Sequence, residues 1–522
     1  MNIVFRVDSS TQIGSGHLMR CLTLANELRR CGSVVTFVSR THEGNLLERL
    51  EQEGHEVHKL PMPQKNNSIV TGYETWLGVT PEQDALDTLA VLEGQRYDWL
   101  VVDHYALDHR WEKALRVKAD KIMVIDDLAN RTHDCDLLLD QNYFGVGAER
   151  RYDNKLSVST QCLLGPKFAL LQPEYAQLRA VLIPKSKIFK RVLIFFGGVD
   201  LENQTSNVLT ALMSSELNYL SVDVVIGSNY PNLKNLEAQA AKRGNVTFHQ
   251  GLPTLAPLMM QADLVIGAGG STTWERMCLG CPALVISLAE NQVLGAHALS
   301  VDGFQVLLGA GGALASKDWK RALTTLIKTP DVLMALSSKA KSLVDGLGCK
   351  RVILNLLGNK NLDVHLRDAT INDEALLLHW SNDELVRQQS FCQDLIKPDE
   401  HGVWFKNKLL DPHAFIFIGE AENGVPLGQV RFSLNFEKKE ALISISIDTF
   451  VRGMGVAEKL LTRAIERCSN RIPGILFVAE VRDANVPSQR LFNKLNFTQV
   501  CSNRNAALRF EYQAEILIGE ST

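Results

Sequence analysis

No apolar run in this 522-residue chain reaches the roughly 18 residues needed to cross a bilayer. Arg6 and Asp8 interrupt the stretch where a secretory signal would need unbroken apolar sequence, so neither membrane spanning nor secretion is expected. A cationic excess is missing too. Against 59 Asp and Glu stand 55 Lys and Arg, a formal net charge of −4, which leaves no basic field for a nucleic-acid backbone or an anionic membrane surface. The 10 Cys are scattered without a dense framework and read as reduced thiols in a cytoplasmic protein. The C-x-x-C pair, Cys278 and Cys281, has no second pair at zinc spacing and reads as core packing, so no metal is expected. No Gly-Lys-Ser/Thr follows any glycine turn, which disfavours a P-loop, and neither an internal repeat nor a low-complexity segment interrupts the chain.

What is present is globular. With 45% hydrophobic and 22% charged residues, the length predicts two to four domains. Short apolar runs at 3–7, 34–39, 99–103, 122–126 and 137–140 alternate with amphipathic stretches, the pattern of buried parallel strands in a doubly wound sheet. A second series at 191–196, 222–226, 246–250, 264–268, 283–288 and 304–308 predicts a second lobe, hence a cleft between two lobes spanning 1–172 and 173–357. After a short polar stretch at 356–362, runs at 415–418, 428–432 and 441–447 predict a third, α+β domain over 363–522.

Three constellations carry chemistry. Gly14, Gly16 and His17 follow the first strand and open a helix with Leu18, Cys21, Leu22, Ala25 and Leu28 on its apolar face. Ligands of open α/β sheets bind beyond the strands' carboxyl ends, so His17 is expected at the cleft, where the positive helix end favours its neutral, proton-accepting form. In the second lobe Gly269, Gly270, Ser271 and Thr272 form a strand–turn–helix cradle suited to a diphosphate, with Glu275 one turn further on to accept from a ribose diol. Gly197 and Gly198 make a second such turn, and Asn291 and Gln292 follow another strand of that lobe as candidate contacts to nucleotide or sugar. In the third domain Arg452, Gly453, Gly455, Val456 and Ala457, after the strand ending at Ile447, form an R-x-x-G-x-A turn whose amides suit a pyrophosphate.

Taken in order, Arg6-x-Asp8-x-Ser10, Gly14-x-Gly16-His17-x-x-Arg20, Val102-Asp103-His104-Tyr105, Ile125-Asp126-Asp127, Leu139-Asp140-Gln141-Asn142, Phe196-Gly197-Gly198-x-Asp200 and the Gly267–Glu275 stretch resemble the UDP-sugar hydrolases of pseudaminic acid biosynthesis over residues 1–355. The resemblance implies two Rossmann-like lobes of the glycosyltransferase-B kind. It also implies hydrolysis of UDP-2,4-diacetamido-2,4,6-trideoxy-β-L-altropyranose to UDP and the free sugar, inverting at the anomeric carbon. His17 becomes the base that activates water. Asp8 and Asp103 become candidates for orienting His17 or binding sugar hydroxyls, and Lys167 a candidate to reach the substrate from the inter-lobe segment. The Arg452–Ala457 turn, with Asn485-x-x-Ser488 and Phe492-x-Lys494, resembles the GNAT N-acetyltransferases over 363–515 and implies acetyl-CoA as co-substrate. Two positions depart from that family: Phe492 stands where Tyr is usual and Asn496 where Gly is usual, and the missing Tyr is the group that protonates the departing thiolate. In the pseudaminic acid pathway an acetyltransferase modifies the 4-amino UDP-sugar that the hydrolase then consumes in diacetylated form, so the two halves fit consecutive steps. Two alternatives stand beside this reading: a glycosyltransferase using an acceptor in place of water, and a nucleotide-sugar sensor without turnover.

Overall fold

In a computed structural model the chain divides into two compact units, Met1–Leu357 and Gly358–Thr522. All residues are described except 63–71, 183–187, 199, 201, 228–229, 231–232, 358–361, 423, 502–506 and 515–522. Part of the expected 356–362 linker and the tail of the third domain therefore lie outside the described residues.

The first unit holds two parallel sheets. One is built from β1 (Asn2–Val7), β2 (Val34–Arg40), β3 (Glu56–Leu60), β4 (Tyr97–Asp103), β5 (Ala119–Ile125), β6 (Leu137–Asp140) and β7 (Gln161–Leu164), in the order β3-β2-β1-β4-β5-β6-β7. The other contains β8 (Arg191–Phe195), β9 (Ser221–Ile226), β10 (Val246–Gln250), β11 (Leu264–Ala268), β12 (Ala283–Ser287) and β13 (Val306–Ala310), ordered β10-β9-β8-β11-β12-β13. Central strands such as β4 and β11 are buried on both faces, which is why they read as continuous apolar runs. β3 and β7 escaped the sequence reading because they are sheet edges and carry exposed charged or polar residues.

Each order reverses once, between β1 and β4 in the first sheet and between β8 and β11 in the second. At such a point the two connecting loops part to opposite faces and leave a crevice at the strands' carboxyl ends. The His17 loop follows β1 and Asp103 ends β4. The Gly197–Gly198 and Gly269–Thr272 turns follow β8 and β11. Both sets of candidate residues thus lie at switch points.

A boundary at 357 would give the helix Gly348–Leu357 to the second lobe; the structure returns it to the first. Trp99 Nε1 donates to the Leu356 carbonyl (2.9 Å) and Gln161 Nε2 to Asn355 Oδ1 (2.6 Å), while Val352, Ile353 and Leu356 are buried. An apolar helical stripe must be covered, and the first lobe covers it.

Glycine at 267 is set by close packing: a Cβ there would lie 2.3 Å from the Phe195 carbonyl oxygen of the adjacent β8. Gly267→Ala is expected to cost about 1–3 kcal/mol through forced displacement of a central strand, read as a lower denaturation midpoint of the first unit.

The second unit is one mixed sheet: β14 (His365–Asp368), β15 (Ala414–Glu420), β16 (Pro426–Asn435), β17 (Glu440–Ile447), β18 (Leu476–Arg482), β19 (Thr498–Val500) and β20 (Ala507–Gln513), ordered β14-β15-β16-β17-β18-β20-β19. Its parallel pair, β17 and β18, is joined through Glu440, Ala441 and Leu442 alone, although both strands continue beyond that point. They therefore diverge from Leu442 towards Ile447 and open a wedge. Asn496 has φ +60°, which explains how Asn replaces the usual Gly: Asn is among the few side chains that tolerate left-handed backbone.

Candidate active site

His17 lies in the first turn of the helix Gly16–Arg30, nearly buried, with Leu18, Cys21, Leu22, Ala25 and Leu28 all turned into the core as the periodicity predicts. Its Nδ1 is 2.6 Å from Asp103 Oδ1. Arg20, one turn along the same helix, donates to both Asp103 oxygens, at 2.6 and 2.7 Å. Burial alone would raise the Asp103 carboxyl, but the charges of Arg20 and His17 outweigh it and hold the group well below the usual carboxylate range. An ionised Asp103 assigns the proton to His17 Nδ1, which makes Nε2 the accepting nitrogen. Tyr105 packs edge-on against the His17 ring, 4.5 Å between centroids, and Trp76 does so at 5.9 Å.

Across the cleft, a Cβ on Gly16 would lie 3.9 Å from Ser271 Oγ, so the two glycine loops face each other at close range. The cleft is lined by Gly16, Met19, Arg20 and Thr23 from one lobe and Ser271, Trp274 and Glu275 from the other, with Gln141 and residues 170–172. Ser271, which precedes the helix Thr272–Cys278, makes no capping hydrogen bond with its side chain. Burial pushes the Glu275 carboxyl up to about 6, against the lowering influence of Tyr175 and Arg276, and Glu275 Oε2 is buried without a hydrogen-bond partner. A desolvated acceptor with an unmet lone pair suits a ligand that brings hydroxyl donors. Asn291 Nδ2 donates to Tyr105 OH (3.1 Å) and so ties the second lobe to the His17 wall, while Gln292 accepts from the Leu288 amide and stays within its own lobe.

Gly197 has φ +97°, and Gly198 presses so closely on the β9 turn that a Cβ on Gly227 would strike its carbonyl. Asp200, behind that turn, accepts from the amides of Gln204 and Thr205 and fixes the next helix. Gly14, at φ +79°, closes the His17 loop through its amide to the Ser10 carbonyl (2.9 Å).

Two expectations need correction. Asp8 is fully buried and does not meet His17: Arg6 donates to both its oxygens, and Ser39 and the Arg40 amide also donate to it. Though burial opposes it, Arg6 with His104 and His42 holds Asp8 well below the usual range, so it anchors an ion network. Lys167 is not among the residues that line this cleft; its ammonium sits over the Phe168 ring at 5.2 Å and its carbonyl accepts from Arg351. Arg452 turns its guanidinium inside the domain, onto the Ile447 carbonyl (3.1 Å) and Asp383 (2.6 Å), so its side chain braces the turn whose amides are expected to meet a pyrophosphate.

The rest of that turn is well placed. Gly453 (φ +81°) and Gly455 (φ +75°) lead into the helix Val456–Arg471, whose first-turn amides, those of Val456 and Ala457 included, have no intrahelical acceptor. Val456 itself is buried. Asn485 caps the helix Val486–Lys494, which follows β18, by accepting from the Ser488 amide (3.2 Å). Phe492 is buried among Phe497 and Phe510 and offers no proton donor.

Arg20 and Tyr105 were quoted in the sequence motifs without a role, and their spacing signals one: Arg20 is three residues beyond His17 on one helix face. Trp76 carried no signal. Cys278 and Cys281 are buried free thiols, and among the described residues no group of three or more His, Cys, Asp or Glu is arranged to hold a metal ion. No helix among those residues is long and apolar enough to cross a membrane.

Residues 377–497 match the acetyltransferase (GNAT) family model. The third domain is a GNAT domain. Over 59% of the chain and 98% of the relative, the sequence is 25% identical to the UDP-2,4-diacetamido-2,4,6-trideoxy-β-L-altropyranose hydrolase of Campylobacter jejuni. It is 23% identical to the spore coat polysaccharide biosynthesis protein SpsG of Bacillus subtilis, over 67% of the chain and 96% of that protein. An uncharacterized protein of Methanocaldococcus jannaschii matches at 23% identity over 97% of this chain and 98% of its own length. Among solved structures, Acinetobacter baumannii MurG aligns with 69% of this chain and 99% of its own, at 12% identity and a TM-score of 0.48. The chain is thus a two-lobed unit homologous to a UDP-sugar hydrolase, fused to a GNAT domain.

Proposed function

We propose that the chain performs two consecutive steps on one nucleotide sugar. The GNAT domain acetylates the 4-amine of a UDP-4-amino sugar with acetyl-CoA. The two-lobed unit then hydrolyses UDP-2,4-diacetamido-2,4,6-trideoxy-β-L-altropyranose to UDP and the free sugar, with inversion. The observation that carries the hydrolase half is the His17–Asp103 pair, which leaves Nε2 as the accepting nitrogen next to Gly16 and near Arg20, residues that line a cleft whose other wall is Ser271, Trp274 and Glu275. His17 Nε2 takes a proton from water as the oxygen attacks the anomeric carbon; the bond to the diphosphate oxygen breaks, and UDP leaves towards the glycine turns. Asp103 shares the imidazolium charge that forms. In the GNAT domain the amine nitrogen attacks the thioester carbonyl, the C–S bond breaks, and the amine proton is lost. With Phe492 apolar, the thiolate leaves unassisted from that position, which a thiol pKa near 8.5 allows.

An NMR time course of the diacetylated UDP-sugar, and of its 4-amino precursor with and without acetyl-CoA, tests both halves. UDP release that needs an added acceptor would replace hydrolysis by glycosyl transfer. Binding without turnover would favour a sensor.

Glu275→Ala is expected to weaken UDP binding roughly tenfold or more, since a charge-assisted hydrogen bond is lost. The pH dependence has a definite sign. With its carboxyl pushed up to about 6, Glu275 gains a proton as pH falls through that value and becomes a poorer acceptor. Wild-type affinity should therefore fall more steeply between pH 7 and 5 than that of Glu275→Gln, the phosphates' own titration being common to both. Calorimetry across that range makes the comparison.

A further inference from the structure

The face of the GNAT sheet covered by the helices Glu374–Ser381 and Pro398–Leu410 is apolar where Leu377, Trp380, Phe405, Ile416 and Ile418 meet. Polar groups without partners lie beside that core. Arg431, on β16, is half-buried with its guanidinium over the Trp404 ring at 5.0 Å, and it makes no ion pair with any described carboxylate. Nearby, His401 is 2% exposed and both of its ring nitrogens are buried without a hydrogen-bond partner. Gln429, two residues before Arg431 on the same face, has a buried Oε1 that is likewise unmet. The strand register sets Ser444 opposite Arg431 and Ser446 opposite Gln429. Both serines belong to the part of β17 that has diverged from β18, the wedge at which the cofactor turn begins.

Leaving such groups unpaired in an apolar layer costs free energy unless a ligand completes them. Burial lowers the Arg431 guanidinium from its ordinary range, as befits a cation that water does not fully solvate. Glu374 is the carboxylate that acts on His401, and it packs against Gly402 instead of pairing with Arg431. A guanidinium held over an aromatic ring, and not paired with a carboxylate, keeps N–H groups for a phosphate, which it can grip with two parallel hydrogen bonds.

We propose that Arg431, with His401 and Ser444, forms the acceptor site of the GNAT domain and binds the diphosphate of an amine-bearing nucleotide sugar. This rests on the acetyltransferase reading given above and adds what that reading leaves open: the acceptor is recognised through its anionic half while its amine reaches the β17–β18 wedge. Acetyl-CoA is held by other groups, the amides of the Gly453–Ala457 turn.

The test is carried out on the full-length chain, following thiol release from acetyl-CoA with the UDP-4-amino sugar and with the same amino sugar lacking UDP. Wild type should favour the nucleotide sugar. In Arg431→Gln the ratio of kcat/KM for the two amines should fall roughly tenfold or more, with the KM for acetyl-CoA within about twofold of wild type, and Arg431→Lys should restore part of the ratio. That unchanged acetyl-CoA KM also certifies the fold of the variant. Wild-type activity with an unaltered ratio in Arg431→Gln would overturn the site. A wild-type chain that acetylates neither amine would overturn the acetyltransferase reading itself, and the two failures are thereby distinguished.

Discussion

Replacing His17 by alanine is expected to slow UDP release by about 10²–10⁴-fold while leaving UDP affinity near wild type. In the proposed mechanism the side chain acts on water, and the nucleotide meets the opposite wall of the cleft. The split between binding and turnover is diagnostic because the first-lobe residues that hold His17, Asp103 and Arg20, are themselves nearly buried and stay paired with each other in the variant. Steady-state kinetics at saturating substrate, with calorimetry for UDP, would check it. Substantial residual turnover would remove the base from His17. Acetyl transfer is expected to continue in this variant, since the GNAT domain is the other compact unit.

Gly455→Asp should do the reverse, largely abolishing acetyl-CoA binding while hydrolysis of the diacetylated UDP-sugar goes on. Gly455 stands at φ +75°, immediately before the helix Val456–Arg471, so any side chain strains the turn. A Cβ would meet nothing within 4 Å of the protein itself. The space is thus free for a ligand, and a carboxylate placed there would repel two phosphates in a partly desolvated site. Isothermal titration with acetyl-CoA reads the loss. Retained affinity would move the cofactor elsewhere, and lost hydrolysis in a folded variant would mean that the two units are energetically coupled.

The parallel strands of the two lobes and the glycine turns that end β1, β8 and β11 could be read directly from the chain, because strands buried on both faces demand continuous apolar runs and tight turns demand glycine. So could the helix that carries His17, since its apolar residues recur at helical spacing. Edge strands such as β3 could not, for solvent lets them be polar. Asp8 and Asp103 looked equivalent as strand-end aspartates. Arg6, His42 and His104 surround the first, and His17, 86 residues away in sequence, meets the second. Nothing local shows that the Arg452 guanidinium meets Asp383, 69 residues upstream. That the Arg431 guanidinium lies over the Trp404 ring, with no ion pair to a described carboxylate, could be seen only in the folded domain. Local spacing determines which residues share a face of a helix or strand. Which charge finds which partner depends on how strands far apart in sequence are ordered in the sheet, since ion pairs and hydrogen bonds act over a few ångströms whatever the separation along the chain.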